Sequence, residues 1–149
     1  MKRLALWLAA AFVPAAVGIA FPAPDYYGRL DKPAWAPPPW VFGPVWTLLY
    51  AMIGVAAWLV AKRGGADARP ALGLWGVQIV LNAAWTPIFF GLRSPGVALV
   101  EIIVMWIAIA ATTVAFFARR TAAGALLLPY LAWVTFATVL NFEIWRRNS

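Results

Sequence analysis

Five long apolar runs separated by four charge-bearing breaks dominate this sequence, at about 4–21, 40–61, 70–91, 96–117 and 122–145. Each is long enough to cross about 30 Å of hydrocarbon at ~1.5 Å per helical residue. Inside a bilayer every backbone N–H and C=O must be satisfied by the chain itself, which leaves helices or a closed barrel. The runs are continuously apolar rather than alternating, so helices are expected and barrel strands are not. The expected fold is all-α: an integral membrane bundle of five transmembrane helices, built as a single domain over residues 1–149. Composition agrees. Hydrophobic residues make up 64% and charged residues 11%, and the mean hydropathy is +0.81. A soluble domain carries about a quarter charged residues, so this chain lacks the polar groups to cover a water-facing surface.

The formal net charge of +7 sits at the ends of the apolar runs, where cations meet anionic headgroups. No basic face is long enough to follow a phosphate backbone, so nucleic acid is not an expected partner. Lys and Arg number seven on the side of the N-terminus and the second and fourth breaks, against five on the other. That excess leans towards a cytoplasmic N-terminus. There is no Cys and no His. This removes thiol nucleophiles, His acid–base chemistry, zinc sites of the Cys/His type and the commonest haem ligands. No metal site and no resident cofactor are expected. The basic start and the small residues Gly18 and Ala20 also fit a leader cleaved before Phe21. A retained first helix is the expectation, because the later helices need a fifth partner to shield their polar residues.

The long first connection, from residue 22 to about 39, holds much of the chemistry. Seven of the twelve prolines fall between Pro22 and Pro44. Proline fixes φ and pushes its predecessor towards extended geometry, so a stiff, extended loop is expected. Its aromatics Tyr26, Tyr27 and Trp35 are placed to fold over the bundle as a lid. In the third run Gln78, Asn82 and Trp85 stand at i, i+4 and i+7 and share one face. Amides in lipid must point inward, either to neighbouring helices as glue or to a ligand. Pro87 is expected to kink this helix and open space beside Asn82. Trp46 and Tyr50 recur at i and i+4 in the second run, and Pro129, Trp133, Ala137 and Leu140/Asn141 at helical spacing in the fifth. Trp7, Trp58, Trp75 and Trp145 lie near segment ends and read as interfacial belt residues. Glu143 is expected to pair locally with Arg146 and Arg147. Glu101 is an intramembrane carboxylate, open to a structural or a functional reading. Gly73, Gly76, Ala83 and Ala84 form small patches suited to close helix contact, within the chain or between copies.

The stretches "LDKPAWAPPPWVFGPVWTLLYAMIG" (30–54), "QIVLNAAWTPIFFG" (78–91) and "LLLPYLAWVTFATVLNFEIWRRN" (126–148) resemble the tryptophan-rich sensory protein / translocator protein (TspO/MBR) family, once called peripheral benzodiazepine receptors. The five-run layout and the long first loop match as well. The resemblance implies a five-helix bundle, usually homodimeric. It also implies a pocket for porphyrins such as protoporphyrin IX, for isoquinoline and benzodiazepine drugs, and in some members for sterol. By position it implies that Tyr27, Trp35 and Pro37 close the pocket. Trp46 and Tyr50 would form one aromatic wall, Asn82 and Trp85 a second, and Trp133, Ala137 and Leu140 a third. Trp46 and Trp133 match the pair tied in the family to light-dependent porphyrin breakdown. Two positions depart from the pattern: Phe142 stands where the sterol motif has Tyr, and Tyr26 where relatives often carry Trp.

These readings together point to a membrane receptor or sensor for porphyrin-like ligands, or a carrier of them, in the envelope membrane of a bacterium. Stiff aromatic walls would hold a flat guest by stacking, with Asn82 as a polar contact and Arg29 and Lys32 meeting propionates at the rim. Two alternatives are an oxidative activity that degrades porphyrin in light through Trp46 and Trp133, and a small proton-coupled exporter using Glu101. The sequence shows no nucleophile–base pair and no facing carboxylates.

Overall fold

The computed structural model describes residues 2–20, 24–65 and 68–148. Those residues are almost wholly helical and contain no strand. In chain order the helices are α1 (Lys2–Ala11), α2 (Val13–Ala20), α3 (Pro24–Arg29), α4 (Phe42–Arg63), α5 (Ala68–Thr86), α6 (Pro95–Arg119) and α7 (Thr121–Asn148). Together they supply five segments long and apolar enough to cross a membrane: Arg3–Ala20, Phe42–Arg63, Ala68–Gly91, Pro95–Arg119 and Thr121–Asn148. The chain is an integral membrane protein with the expected five-helix layout.

Local chemistry explains the boundaries. Pro14 lacks the N–H that would reach back one turn, and the first span breaks around Phe12 between α1 and α2. The third span changes at Pro87 in the same way. There α5 gives way to a wider π-helical turn, Pro87–Gly91, whose last carbonyl bond runs from the Leu92 N–H to Pro87 O at 2.9 Å. The expected kink is therefore a local change of helix type. Gly64 and Gly65 both take positive φ, 68° and 96°, and end α4 in a turn that a side chain would strain. Ser94 caps α6 by accepting a bond from Val97 N–H, with Pro95 in the first turn.

The first connection departs from the extended strap read from its prolines. It contains α3 and a short 3-10 turn, Pro39–Val41. Proline disfavours helix only in the residue before it and in helix interiors. The run "DYYGR" between Pro24 and Pro33 is free to coil, with Pro24 at the first position of the helix. The Tyr26 side chain and Phe21, where the alternative cleaved form would begin, lie outside the described residues.

Polarity is distributed inside out. Leu48, Val80, Val100, Ile107 and Val114 face outward and are more than half exposed, whereas Gln78, Asn82, Thr112, Thr113 and Asn141 are buried. Thr112 and Thr113 satisfy their hydroxyls on the carbonyls one turn back, Ala108 and Ile109. The first span packs tightly into the bundle. A Cβ on Gly54 of α4 would stand 2.9 Å from Leu8 Cδ2 and 3.0 Å from Leu8 Cα, so the glycine sets the α1–α4 approach. Gly73 and Gly76 have no such neighbour among the described residues.

One belt assignment needs correction. Trp75 is buried, at 4% exposure. Its indole N–H donates to Ile53 O at 3.2 Å, and its ring meets Trp7 edge-on at 5.3 Å. Nearness to a segment end gives depth in the bilayer but not direction, and Trp75 points into the α1–α4–α5 contact. Trp58 lies under the Lys62 ammonium at 4.9 Å and Trp145 is 40% exposed, as belt residues are. Glu143 pairs with Arg146 at 2.7 Å and Arg147 at 3.4 Å.

Candidate functional site

Beneath the first connection lies a cavity of about 420 Å³, within the roughly 300–1,000 Å³ of small-molecule sites. Its walls come from far-apart parts of the chain. Tyr27 lines it from α3, Phe42 and Trp46 from α4, and Asn82, Trp85 and Thr86 from α5. Phe89 and Phe90 follow on the π turn, Ile102 and Met105 on α6, and Trp133, Val134, Ala137, Leu140, Asn141 and Ile144 on α7.

The aromatic rings brace one another. Trp46 meets Trp133 edge-on, with centroids 6.5 Å apart at 88°, and Phe42 lies 6.1 Å from Trp133. Opposite them, Trp85 stacks on Phe89 at 4.8 Å. The π turn after Pro87 brings Phe89 and Phe90 beside Trp85, in rings 4.8 and 5.9 Å away. These walls are stiff, because each ring is held by another ring rather than by loop backbone.

Most polar groups at the wall are already engaged. Asn82 Nδ2 donates to the Tyr130 hydroxyl at 2.8 Å, and its Oδ1 accepts from the Tyr50 hydroxyl at 3.2 Å. Tyr130 in turn donates to Gln78 Oε1 at 2.7 Å, and Gln78 Nε2 reaches Trp75 O at 2.8 Å. This buried chain ties α4, α5 and α7 together, so both amides serve as interhelical glue. Trp85 Nε1 donates to Asn141 Oδ1 at 3.0 Å, and Asn141 Nδ2 to Pro95 O at 2.9 Å. The Trp133 indole N–H differs: it is buried and has no hydrogen-bond partner among the described residues. An unmet donor in an apolar site costs stability until something accepts from it.

The first connection closes over this space. The Tyr27 hydroxyl donates to Pro37 O at 3.0 Å, and its ring packs edge-on against Phe42 at 5.7 Å. Burial pushes the Tyr27 phenol above its ordinary pKa, so it stays a donor at neutral pH. Of the residues expected at the site, Tyr27, Trp46, Asn82, Trp85, Trp133, Ala137 and Leu140 line the cavity. Trp35, Pro37 and Tyr50 stand one layer back. Trp35 is 47% exposed and rests on Phe136, which packs on Trp133. Pro37 supplies the carbonyl that holds Tyr27. Tyr50 is buried, stacked behind Trp46 at 5.3 Å. Lys32 is turned inward, its ammonium donating to Tyr27 O at 2.7 Å and Leu30 O at 3.2 Å; Arg29 is exposed.

Residues 4–146 match the model of the TspO/MBR family. The chain belongs to this family. It is 44% identical over 142 residues to the tryptophan-rich sensory protein of Cereibacter sphaeroides, covering 95% of this chain and 89% of that one. It is 48% identical over 126 residues to the human translocator protein, covering 83% and 75%. The tryptophan-rich protein TspO of Chlorobaculum tepidum is 44% identical over 129 residues, covering 85% and 82%. This TspO/MBR chain thus combines membership of a family whose members are named for sensing and translocation with an aromatic-walled cavity.

Phe42, Phe89 and Phe90 were not foreseen as wall residues. The signal was present, because "PIFFG" follows the helix-breaking Pro87 directly. A change in helical phase at a proline redirects the side chains after it, so extending the α5 face past Thr86 misplaces them.

Proposed function

We propose that this protein binds flat aromatic molecules of the porphyrin class in the cavity under the first connection, acting as a membrane sensor or carrier. The observation that carries the reading is an aromatic-walled cavity whose lining includes a buried donor, Trp133 Nε1, without a hydrogen-bond partner among the described residues. A planar macrocycle offers faces to Trp46, Trp85 and Phe89 and a ring nitrogen or carboxylate to accept from Trp133. Its acidic arms reach the mouth, where Arg29 is the exposed cation and Lys32 is held to the loop. Isoquinoline and benzodiazepine drugs present the same combination of plate and carbonyl acceptor. Sterol fits less well, since Phe142 lacks the hydroxyl of the family's motif. A homodimer placed in a bacterial envelope membrane is part of the same proposal, and the open Gly73/Gly76 face suits a second copy.

Titration of protoporphyrin IX against intrinsic tryptophan fluorescence tests the site. Trp133→Phe keeps the ring and deletes the donor; affinity should fall about fivefold, the worth of one buried hydrogen bond. Ala137→Phe fills the cavity and should abolish binding. Unchanged affinity in both variants refutes the assignment.

The Trp46–Trp133 contact favours one second reading, in which light-excited porphyrin and dioxygen lead to oxidative breakdown of the macrocycle beside this pair. Loss of the porphyrin spectrum in light at the rate seen in empty micelles removes that reading.

A further inference from the structure

We propose that Asn148 is a positioning residue that latches the first connection shut and thereby holds Tyr27 as the outer wall of the cavity. The inference rests on the pocket reading above and adds what controls access to it. Asn148 lies on the last turn of α7, outside the cavity lining. Its side-chain amide engages both backbone groups of one residue in the distant loop. Oδ1 accepts from Asp31 N–H at 3.0 Å, and Nδ2 donates to Asp31 O at 2.9 Å. The second hydrogen on Nδ2 goes to Ile144 O at 2.7 Å. All of the amide's donors are used, and its orientation is fixed by the helix that carries it. Only a carboxamide of this length makes this pairing, because a carboxylate has no hydrogen to give to Asp31 O. Arg147 Nη1, 3.9 Å from Asp31 Oδ1, adds a weak exposed attraction.

The grip passes to the cavity through adjacent residues. Asp31 precedes Lys32, whose ammonium bonds to Tyr27 O and Leu30 O and sits 4.7 Å over the Tyr27 ring. Tyr27 then closes on Pro37 and Phe42. A second tether, Trp35 on Phe136, is a ring contact nearer the middle of α7. The two attachments differ in kind. The Asn148 pair is polar and exposed, so water replaces it at small cost when it opens. It is therefore the attachment suited to repeated release, with Trp35 left as the hinge side.

A latch shifts rates more than affinity. Loosening it raises the open population of both free and occupied protein, so ligand enters and leaves faster while the dissociation constant moves much less. The test uses the full chain in lipid nanodiscs, with protoporphyrin IX mixed in a stopped-flow fluorimeter, and hydrogen exchange at the Asp31 amide in ligand-free protein. Asn148→Ala should raise both association and dissociation rates about five- to tenfold, the worth of one or two exposed hydrogen bonds, and speed exchange at Asp31. Asn148→Asp, which keeps the acceptor alone, should fall between. Unchanged rates, or faster dissociation with slower association as in a damaged site, overturn the latch. Failure of the unaltered protein to bind protoporphyrin overturns the pocket reading instead. In that case unchanged Asp31 exchange in Asn148→Ala still overturns the latch, and faster exchange supports it.

Discussion

Removing one oxygen atom from Tyr130 should loosen three helices at once. Tyr130 of α7 is fully buried. Its hydroxyl both accepts from Asn82 and donates to Gln78 on α5, and Asn82 in turn holds Tyr50 on α4. Tyr130→Phe keeps the ring and deletes both hydroxyl bonds. Interhelical hydrogen bonds in membranes average about 0.6 kcal/mol and reach about 1.7, so two give about 1–3 kcal/mol. The cost should lie in the upper half of that span, because Gln78 Oε1 and Asn82 Nδ2 are buried and lose their partners. Reversible unfolding in mixed micelles of mild detergent and SDS, followed by helical circular dichroism, measures the loss. Gln78→Leu combined with Tyr130→Phe then isolates the shared bond. The double variant should be less destabilised than the sum of the singles by about 0.6–1.7 kcal/mol. A Tyr130→Phe protein within about 0.5 kcal/mol of the unaltered one, or strictly additive singles, refutes the buried chain as a stabilising tie.

Gly54→Val should separate α1 from α4, because the new Cβ meets Leu8 Cα at 3.0 Å and Trp7 O at 3.2 Å; a loss of about 1–3 kcal/mol is expected in the same unfolding assay, and Gly73→Val, in open space, should leave the isolated chain unchanged. Glu101→Leu should raise thermal stability, since both carboxyl oxygens of Glu101 are buried with no hydrogen-bond partner among the described residues; a lower melting temperature means that the carboxyl has a stabilising role. Trp75→Phe should cost about 1 kcal/mol through the lost bond to Ile53 O, whereas Trp145→Phe, at the exposed rim, should cost less; equal costs contradict the buried placement of Trp75.

The spans were legible because a bilayer demands length and hydropathy along the chain, and both are one-dimensional. The shared face of Gln78, Asn82 and Trp85 was legible from helical spacing, and the Glu143 pairing because its partners lie three and four residues away. What the amides do was not legible. Asn82 finds Tyr50 32 positions back and Tyr130 48 positions ahead, and no local pattern announces either. Trp75 was misplaced for a related reason: its acceptor, Ile53 O, lies on another helix. Tyr50 shares the Trp46 face, yet it stacks behind Trp46 instead of beside the cavity. The loop's prolines announced neither α3 nor the grip of Asn148, 117 positions from Asp31.

Methionine methyl resonances test the central claim directly: the chain has three methionines, and of the two among the described residues Met105 lines the cavity and Met52 does not. With 13C-methyl methionine in nanodiscs, saturating protoporphyrin IX should shift the Met105 signal strongly through the macrocycle's ring current and leave Met52 of α4 nearly in place. Saturable binding that leaves Met105 unmoved, or moves Met52 as much, would put the ligand on the lipid-facing surface and contradict an intrabundle site.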